Sequence, residues 1–130
     1  MNGEKFVLDT DVTINYLKKT EVAFRFVREK PDAEFYVSVL TRMELLSYHG
    51  LSAEEENHIY RFLNIVSTLP LNDEIERTAI ALRRQTRRKL PDAVIAATAV
   101  RLGATLATVD EQLSKTEYPG LRAIRIVEPG

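Results

Sequence analysis

No cysteine occurs in the 130-residue chain, which excludes disulfide staples, thiolate zinc sites and cysteine nucleophiles. Histidine is scarce, with only His49 and His58 present, so any metal centre here draws mainly on oxygen donors. Neither sign of charge is in excess. The net charge is −1 and the pI about 6.1, so the molecule lacks the overall field of a strongly basic polyanion binder, and nucleic-acid contact has to come from local clusters. No uninterrupted apolar run approaches the roughly 20 residues of a membrane-spanning helix. The opening Met1-Asn2-Gly3-Glu4-Lys5 leads directly into the first apolar segment, without an apolar leader; neither a signal peptide nor a membrane anchor is expected, and a cytoplasmic location fits. Internal repeats, low-complexity tracts and linkers are also missing.

What remains is an ordinary globular composition, 45% hydrophobic and 28% charged, of a length that supports one domain over residues 1–130. Phe6-Val7-Leu8 reads as a short strand buried on both faces, and it runs into Asp9 and Asp11. Thr10 or Asp11 can cap a helix reaching about Lys19. Thr20 can cap a second helix, which closes at Lys30-Pro31-Asp32. Glu34 to Val39 is a strand rich in aromatic and β-branched residues, followed by a helix from Leu40 to Tyr48 that Gly50 can end. Ser52-Ala53-Glu54-Glu55 is a capping box, with Ile59, Phe62, Leu63 and Val66 striping the helix behind it. Val66 to Leu71 holds a short strand, which Pro70 confines to an edge.

Asp73 and Glu76 open a long helix whose last turns carry Arg83-Arg84-Gln85-Thr86-Arg87-Arg88-Lys89. Pro91 suits the first turn of the next helix, nearly all apolar from Ala93 to Val100 and stopped by Gly103. Thr105 to Val109 and Ala123 to Val127 are the remaining strands. Alternating strands and helices predict an α/β layered domain with a largely parallel sheet.

Such a sheet gathers the C-terminal ends of its strands along one edge, where α/β folds place their sites. Asp9 and Asp110 follow strand ends there, Glu44 lies about one turn into a helix after a strand, and Asp92 begins the buried helix. Each acid also has a structural role open to it. Glu44 can complete a capping box with Thr41, Asp92 can serve a helix dipole, Asp9 can form an Asx turn, and Asp110 can cap Glu111 to Lys115. Asp92 nevertheless shares the inward face of its helix with Ile95, Ala96 and Ala99, which a purely dipolar role does not require. Four carboxylates on one edge repel one another unless divalent cations neutralise them, and an oxygen-only set suits Mg²⁺ or Mn²⁺.

The segments Leu8-Asp9-Thr10-Asp11-Val12, Ser38 to Leu45, Leu90 to Ala99 and Gly103 to Asp110, in that order and spacing, resemble the PIN domain and, within it, the VapC-type ribonuclease toxins. The resemblance implies a three-layer α/β/α fold around a central, mainly parallel sheet of about five short strands. It implies a metal-dependent endoribonuclease, the toxin of a type II toxin–antitoxin pair, in which Asp9, Glu44, Asp92 and Asp110 are both the catalytic residues and the ligands of one or two Mg²⁺ or Mn²⁺ ions. Thr108 matches a supporting hydroxyl position. A homodimer and a small antitoxin partner are implied as well, with Tyr16, Phe24 and Phe26 on the helices between Val12 and Glu29 as a candidate surface. Two positions depart from the family pattern. Asp11 stands where Asn or Ser is more usual and is an additional candidate ligand, while Leu113 stands where many members have Phe.

Two other functions compete. Asp9-Thr10-Asp11-Val12-Thr13 matches the DxDxT opening of haloacid-dehalogenase-like phosphatases, with Asp9 as nucleophile. A non-catalytic Mg²⁺-binding α/β interaction module is the other. The Arg83 to Lys89 run can serve a helix C-terminus, but its like-charged pairs four apart oppose the helix, which makes Arg84, Arg87 and Arg88 candidates for RNA-phosphate contact.

Overall fold

In the computed structural model, which describes residues 3–19 and 21–127, the apolar run after Lys5 becomes the middle strand of the sheet. Strand β1 (Lys5–Leu8) is followed by α1 (Thr10–Leu17), α2 (Glu21–Arg28), β2 (Glu34–Ser38), α3 (Val39–Leu46), α4 (Ala53–Ile65) and β3 (Ser67–Leu69). The chain then forms α5 (Asp73–Thr86), α6 (Leu90–Leu102), β4 (Thr105–Thr108), α7 (Glu111–Ser114) and β5 (Arg122–Arg125). The five strands are all parallel, in the order β3-β2-β1-β4-β5. A central parallel strand is covered on both faces, which is why Phe6-Val7-Leu8 shows no polar alternation. Both edges are short, and the β3 edge is the one that Pro70 follows.

Two cores flank the sheet. Val7 and Leu106 pack against Ile75, Ala79 and Leu82 of α5 and the alanine-rich α6, while Leu8, Val37 and Ala107 pack against α1 to α4. The result is a three-layer α/β/α fold. Helix α6 is buried from Ala93 through Ala99 because it lies between the sheet and α5, with α3 beside it. Each fully buried leucine in these cores, such as Leu82 or Leu106, contributes about 1.5–3 kcal/mol of burial free energy. Helices α5 and α6 form an antiparallel hairpin, because Arg101 in the last turn of α6 reaches Glu74 in the first turn of α5 at 2.6 Å. Among the described residues, no helix is long and apolar enough to cross a membrane.

The chain steps outward from β1 to β3, then crosses back through α5 and α6 to place β4 on the other side of β1. Strand order therefore reverses between β1 and β4, and a crevice opens beyond their C-terminal ends.

Several local expectations change. Asp9, rather than Thr10 or Asp11, caps α1, accepting from the Val12 amide at 2.8 Å. The cap expected at Thr20 lies outside the described residues. Ser38 caps α3, so the helix starts one residue earlier than expected and Thr41 and Glu44 fall inside it; no Thr41–Glu44 capping box exists. That helix ends at Ser47, not Gly50. Asn72, not Asp73, caps α5. Helix α5 itself stops at Thr86 because Arg87 turns left-handed, with φ 59°, and returns its N–H to the Arg83 carbonyl. Arg88 and Lys89 thus belong to the connection, not to the helix. The Ser52 capping box of α4 forms as written in the sequence. Tyr16, Phe24 and Phe26, the candidate partner surface, are half-buried: Tyr16 stacks on Phe24 and meets Phe62, and Phe26 meets Phe6 and Phe35.

Candidate active site

The first residue beyond β1 carries the most constrained acid of the chain. The Asp9 N–H still bonds in sheet fashion, donating to the Ala107 carbonyl at 3.1 Å. Its own carbonyl accepts from the Thr13 amide and from the Thr13 hydroxyl, and its carboxylate caps α1. The residue is only 5% exposed. Burial pushes its carboxyl up to about 6; the Thr108 hydroxyl and the Val12 amide pull the other way, and the nearby Asp11 and Asp92 charges raise it further.

Across the switch point, Asp110 lies two residues beyond β4 and caps α7, one carboxylate oxygen accepting from the Gln112 and Leu113 amides at 2.8 and 3.1 Å. Its own amide donates to the Thr108 hydroxyl at 3.0 Å. Thr108 is fully buried and so acts on both strand-end acids, which is where its expected supporting place puts it. Leu113 is likewise buried in the α5–α6 core.

Asp92 lies in the first turn of α6, half-buried. Burial raises its pKa, Asp110 and Asp11 add to the rise, and Lys89 and Arg88 oppose it. Glu44 is exposed on α3 and accepts from the Thr10 hydroxyl at 2.9 Å. Asp11 is exposed on α1.

Asp9, Asp11, Glu44 and Asp92 all line one pocket of about 250 Å³, together with Thr10, Tyr48, Lys89 and Pro91. Asp110 is outside that lining and reaches the pocket through its charge on Asp92. A larger cavity of about 450 Å³ lies between α2 and β5, but its acids Glu21 and Glu29 are paired with Arg25, whereas among the described residues the acids of the smaller pocket take part in no ion pair within 4 Å. The basic run divides. Lys89 lines the acidic pocket and Arg88 acts on Asp92, whereas Arg83 and Arg84 sit with Ile80 and Leu90 on another face, and Arg87 forms the turn between. The two histidines stay outside the pocket, with His58 against the Leu17 carbonyl.

The donors suit a hard divalent cation: they are carboxylates with hydroxyl support, and one of them is buried where negative charge is unfavourable. Among the described residues, no three acidic or histidine side chains close into a ready ion cluster. Asp9 and Asp110 are instead held by helix-cap hydrogen bonds, and Glu44 by the Thr10 hydroxyl of the neighbouring helix.

A family model described as PIN domain matches residues 6–117. The chain belongs to the PIN-domain family. That places Asp9 and Asp11 outside the haloacid-dehalogenase-like pattern. The fold is also that of solved toxin–antitoxin structures. VapBC2 from Rickettsia felis, bound to a promoter DNA fragment, superposes with a TM-score of 0.81 at 16% identity, over 93% of this chain and 98% of that one. DNA-bound VapBC from Salmonella typhimurium gives 0.77 at 20% identity, covering 94% and 98%. A toxin–antitoxin complex from Klebsiella pneumoniae gives 0.70 at 25% identity, covering 88% and 93%. A search of curated proteins found no match.

Sequence reasoning missed Thr10, Tyr48 and Lys89 as members of this PIN-domain pocket. The Thr41-to-Glu44 spacing was a usable signal for the Thr10 contact, since once Ser38 is taken as the cap it leaves a buried hydroxyl one turn from an exposed acid.

Asp9 generates a pH prediction. Its folded-state pKa, about 6, lies above the ordinary 3.8, so its contribution is full below about pH 4 and lost as pH rises through 6. Asp9→Asn keeps the cap and removes the buried charge. Chemical denaturation of the metal-free proteins should find the variant more stable by about 2–3 kcal/mol at pH 8, the gap closing towards pH 4. Equal stability at pH 8 would mean that Asp9 is not desolvated.

Proposed function

We propose that this PIN-domain protein is a metal-dependent endoribonuclease and the toxin of a type II toxin–antitoxin pair. The observation that carries this reading is the convergence of Asp9, Glu44 and Asp92 on one pocket at the β1/β4 switch point, with Asp110 beside them. These four are the proposed catalytic residues and ligands of one or two Mg²⁺ or Mn²⁺ ions, and Asp11 is an additional ligand candidate. When bound, the ions supply an activated water and stabilise the leaving oxygen of a phosphodiester.

The protein's own part is positional. Asp9 and Asp110 are fixed by strand ends and helix caps, so their oxygens enter the site with little freedom to lose. Thr108 holds both in register. Arg88 and Lys89, displaced from α5 by the left-handed Arg87, lie beside Asp92 and are suited to meet the RNA backbone flanking the scissile bond. Arg87, at the turn, extends that contact and carries no base information, whereas Arg84 sits on another face with Ile80 and Leu90.

The test is RNA cleavage by the purified protein. Mg²⁺ or Mn²⁺ should support it, EDTA should abolish it, and Asp92→Asn should lower it by at least a hundredfold; activity that survives both metal removal and the mutation would rule out the metal-nuclease mechanism. With inactive Asp92→Asn, adding Arg88→Ala and Lys89→Ala should weaken binding to single-stranded RNA and flatten its salt slope by about 1.4, at roughly 0.7 for each phosphate no longer neutralised. An unchanged slope removes these two from the RNA path.

The partners proposed are a second copy of the chain and a small antitoxin, the latter supported by the toxin–antitoxin complexes that share the fold. Light scattering across a concentration series should report twice the 14.8 kDa chain mass; a monomer throughout would count against the homodimer.

A further inference from the structure

Helix α3 presents Thr41 and Glu44 one turn apart on the same side. Thr41 is fully buried and takes no part in capping, since Ser38 holds that position. Its hydroxyl meets the Thr10 hydroxyl at 3.0 Å, and Thr10 in turn donates to Oε1 of Glu44 at 2.9 Å. A hydroxyl carries one proton, and an ionised carboxylate accepts only. The Thr10 proton therefore goes to Glu44, and in the Thr10–Thr41 contact Thr41 is the donor. The direction of both bonds follows: Thr41 to Thr10 to Glu44.

We propose that this hydroxyl relay positions Glu44 for cation binding, which makes Thr10 and Thr41 positioning residues of the site. The inference rests on the nuclease function proposed above. Of the four expected ligands, Glu44 most needs such help. Asp9, Asp92 and Asp110 are short side chains tied to strand ends or a helix start, whereas Glu44 is a longer side chain exposed on a helix surface with more rotamers to lose on ordering. With Oε1 held by Thr10, Oε2 is left for an ion. Consecutive hydrogen bonds in a chain polarise one another, so the buried Thr41 end strengthens the exposed Glu44 end. Thr10 directly follows Asp9 in sequence, so the relay also ties the strand that carries one ligand to the helix that carries another.

The experiment is isothermal titration calorimetry of Mn²⁺ into the full-length protein without RNA, with circular dichroism to verify folding. Thr10→Val and Thr41→Val should each weaken Mn²⁺ binding tenfold to a hundredfold, as expected when a ligand loses the partner that orients it. Thr10→Ser should retain most of the affinity. In a Glu44→Ala background, Thr10→Val should have no further effect, because the relay then has nothing to position. Thr10→Val is the deciding variant if the buried Thr41→Val fails to fold. Normal Mn²⁺ binding by Thr10→Val, while Glu44→Ala binds weakly, would overturn the relay and leave the nuclease function standing. Absence of Mn²⁺ binding by the wild type would overturn both.

Discussion

A carboxylate buried at the tip of the central strand is the constraint from which the site follows. Ionised Asp9 is unfavourable where β1 leaves it, and its pKa of about 6 records that. The local structure offsets part of the burden through the Val12 amide and the Thr108 hydroxyl. The remainder is left for something positively charged, and the neighbouring Asp11 and Asp92 raise the demand. A fold selected for stability alone would place an asparagine here, which caps α1 equally well. Retaining the charge at a stability cost is the kind of local inconsistency expected of a functional site.

The sheet topology explains why the other acids arrive at the same place. Reversal of strand order between β1 and β4 leaves a crevice that helices on neither face close. Asp110 comes beside it at the cap of α7, just beyond β4, and Asp92 comes to it on α6, which packs in a hairpin with α5. Glu44 comes from α3 on the opposite layer. Both layers and the sheet thus contribute, so rigid-body placement of secondary structure, not one loop, sets the geometry of the pocket.

Much of this was legible in the sequence, for reasons specific to each segment. The unbroken apolar run Phe6-Val7-Leu8 identified a central strand, Pro70 an edge, and the alanine-rich stretch from Ala93 a helix buried on all sides. Asp9, Asp92 and Asp110 stood out as candidates because strand ends and helix starts are marked by sharp changes in polarity. Cap assignments were less legible, because several adjacent residues could each serve. Thr10 and Asp11 were as suitable for α1 as Asp9, and Thr41 as suitable for α3 as Ser38; the choice depended on where the sheet ladder released the chain. The left-handed Arg87 was hidden because no glycine marks it. It was that turn that moved Arg88 and Lys89 towards the acids.

Asp9, Glu44, Asp92 and Asp110 are proposed to form a cation site at the switch point. The most direct measurement is a crystal structure of the protein grown with Mn²⁺, with diffraction collected at the manganese absorption edge. An anomalous peak is expected within bonding distance of oxygens from Asp9 and Asp92, shared with Glu44 or Asp110. A well-ordered pocket with no peak, or manganese bound only elsewhere on the molecule, would contradict it.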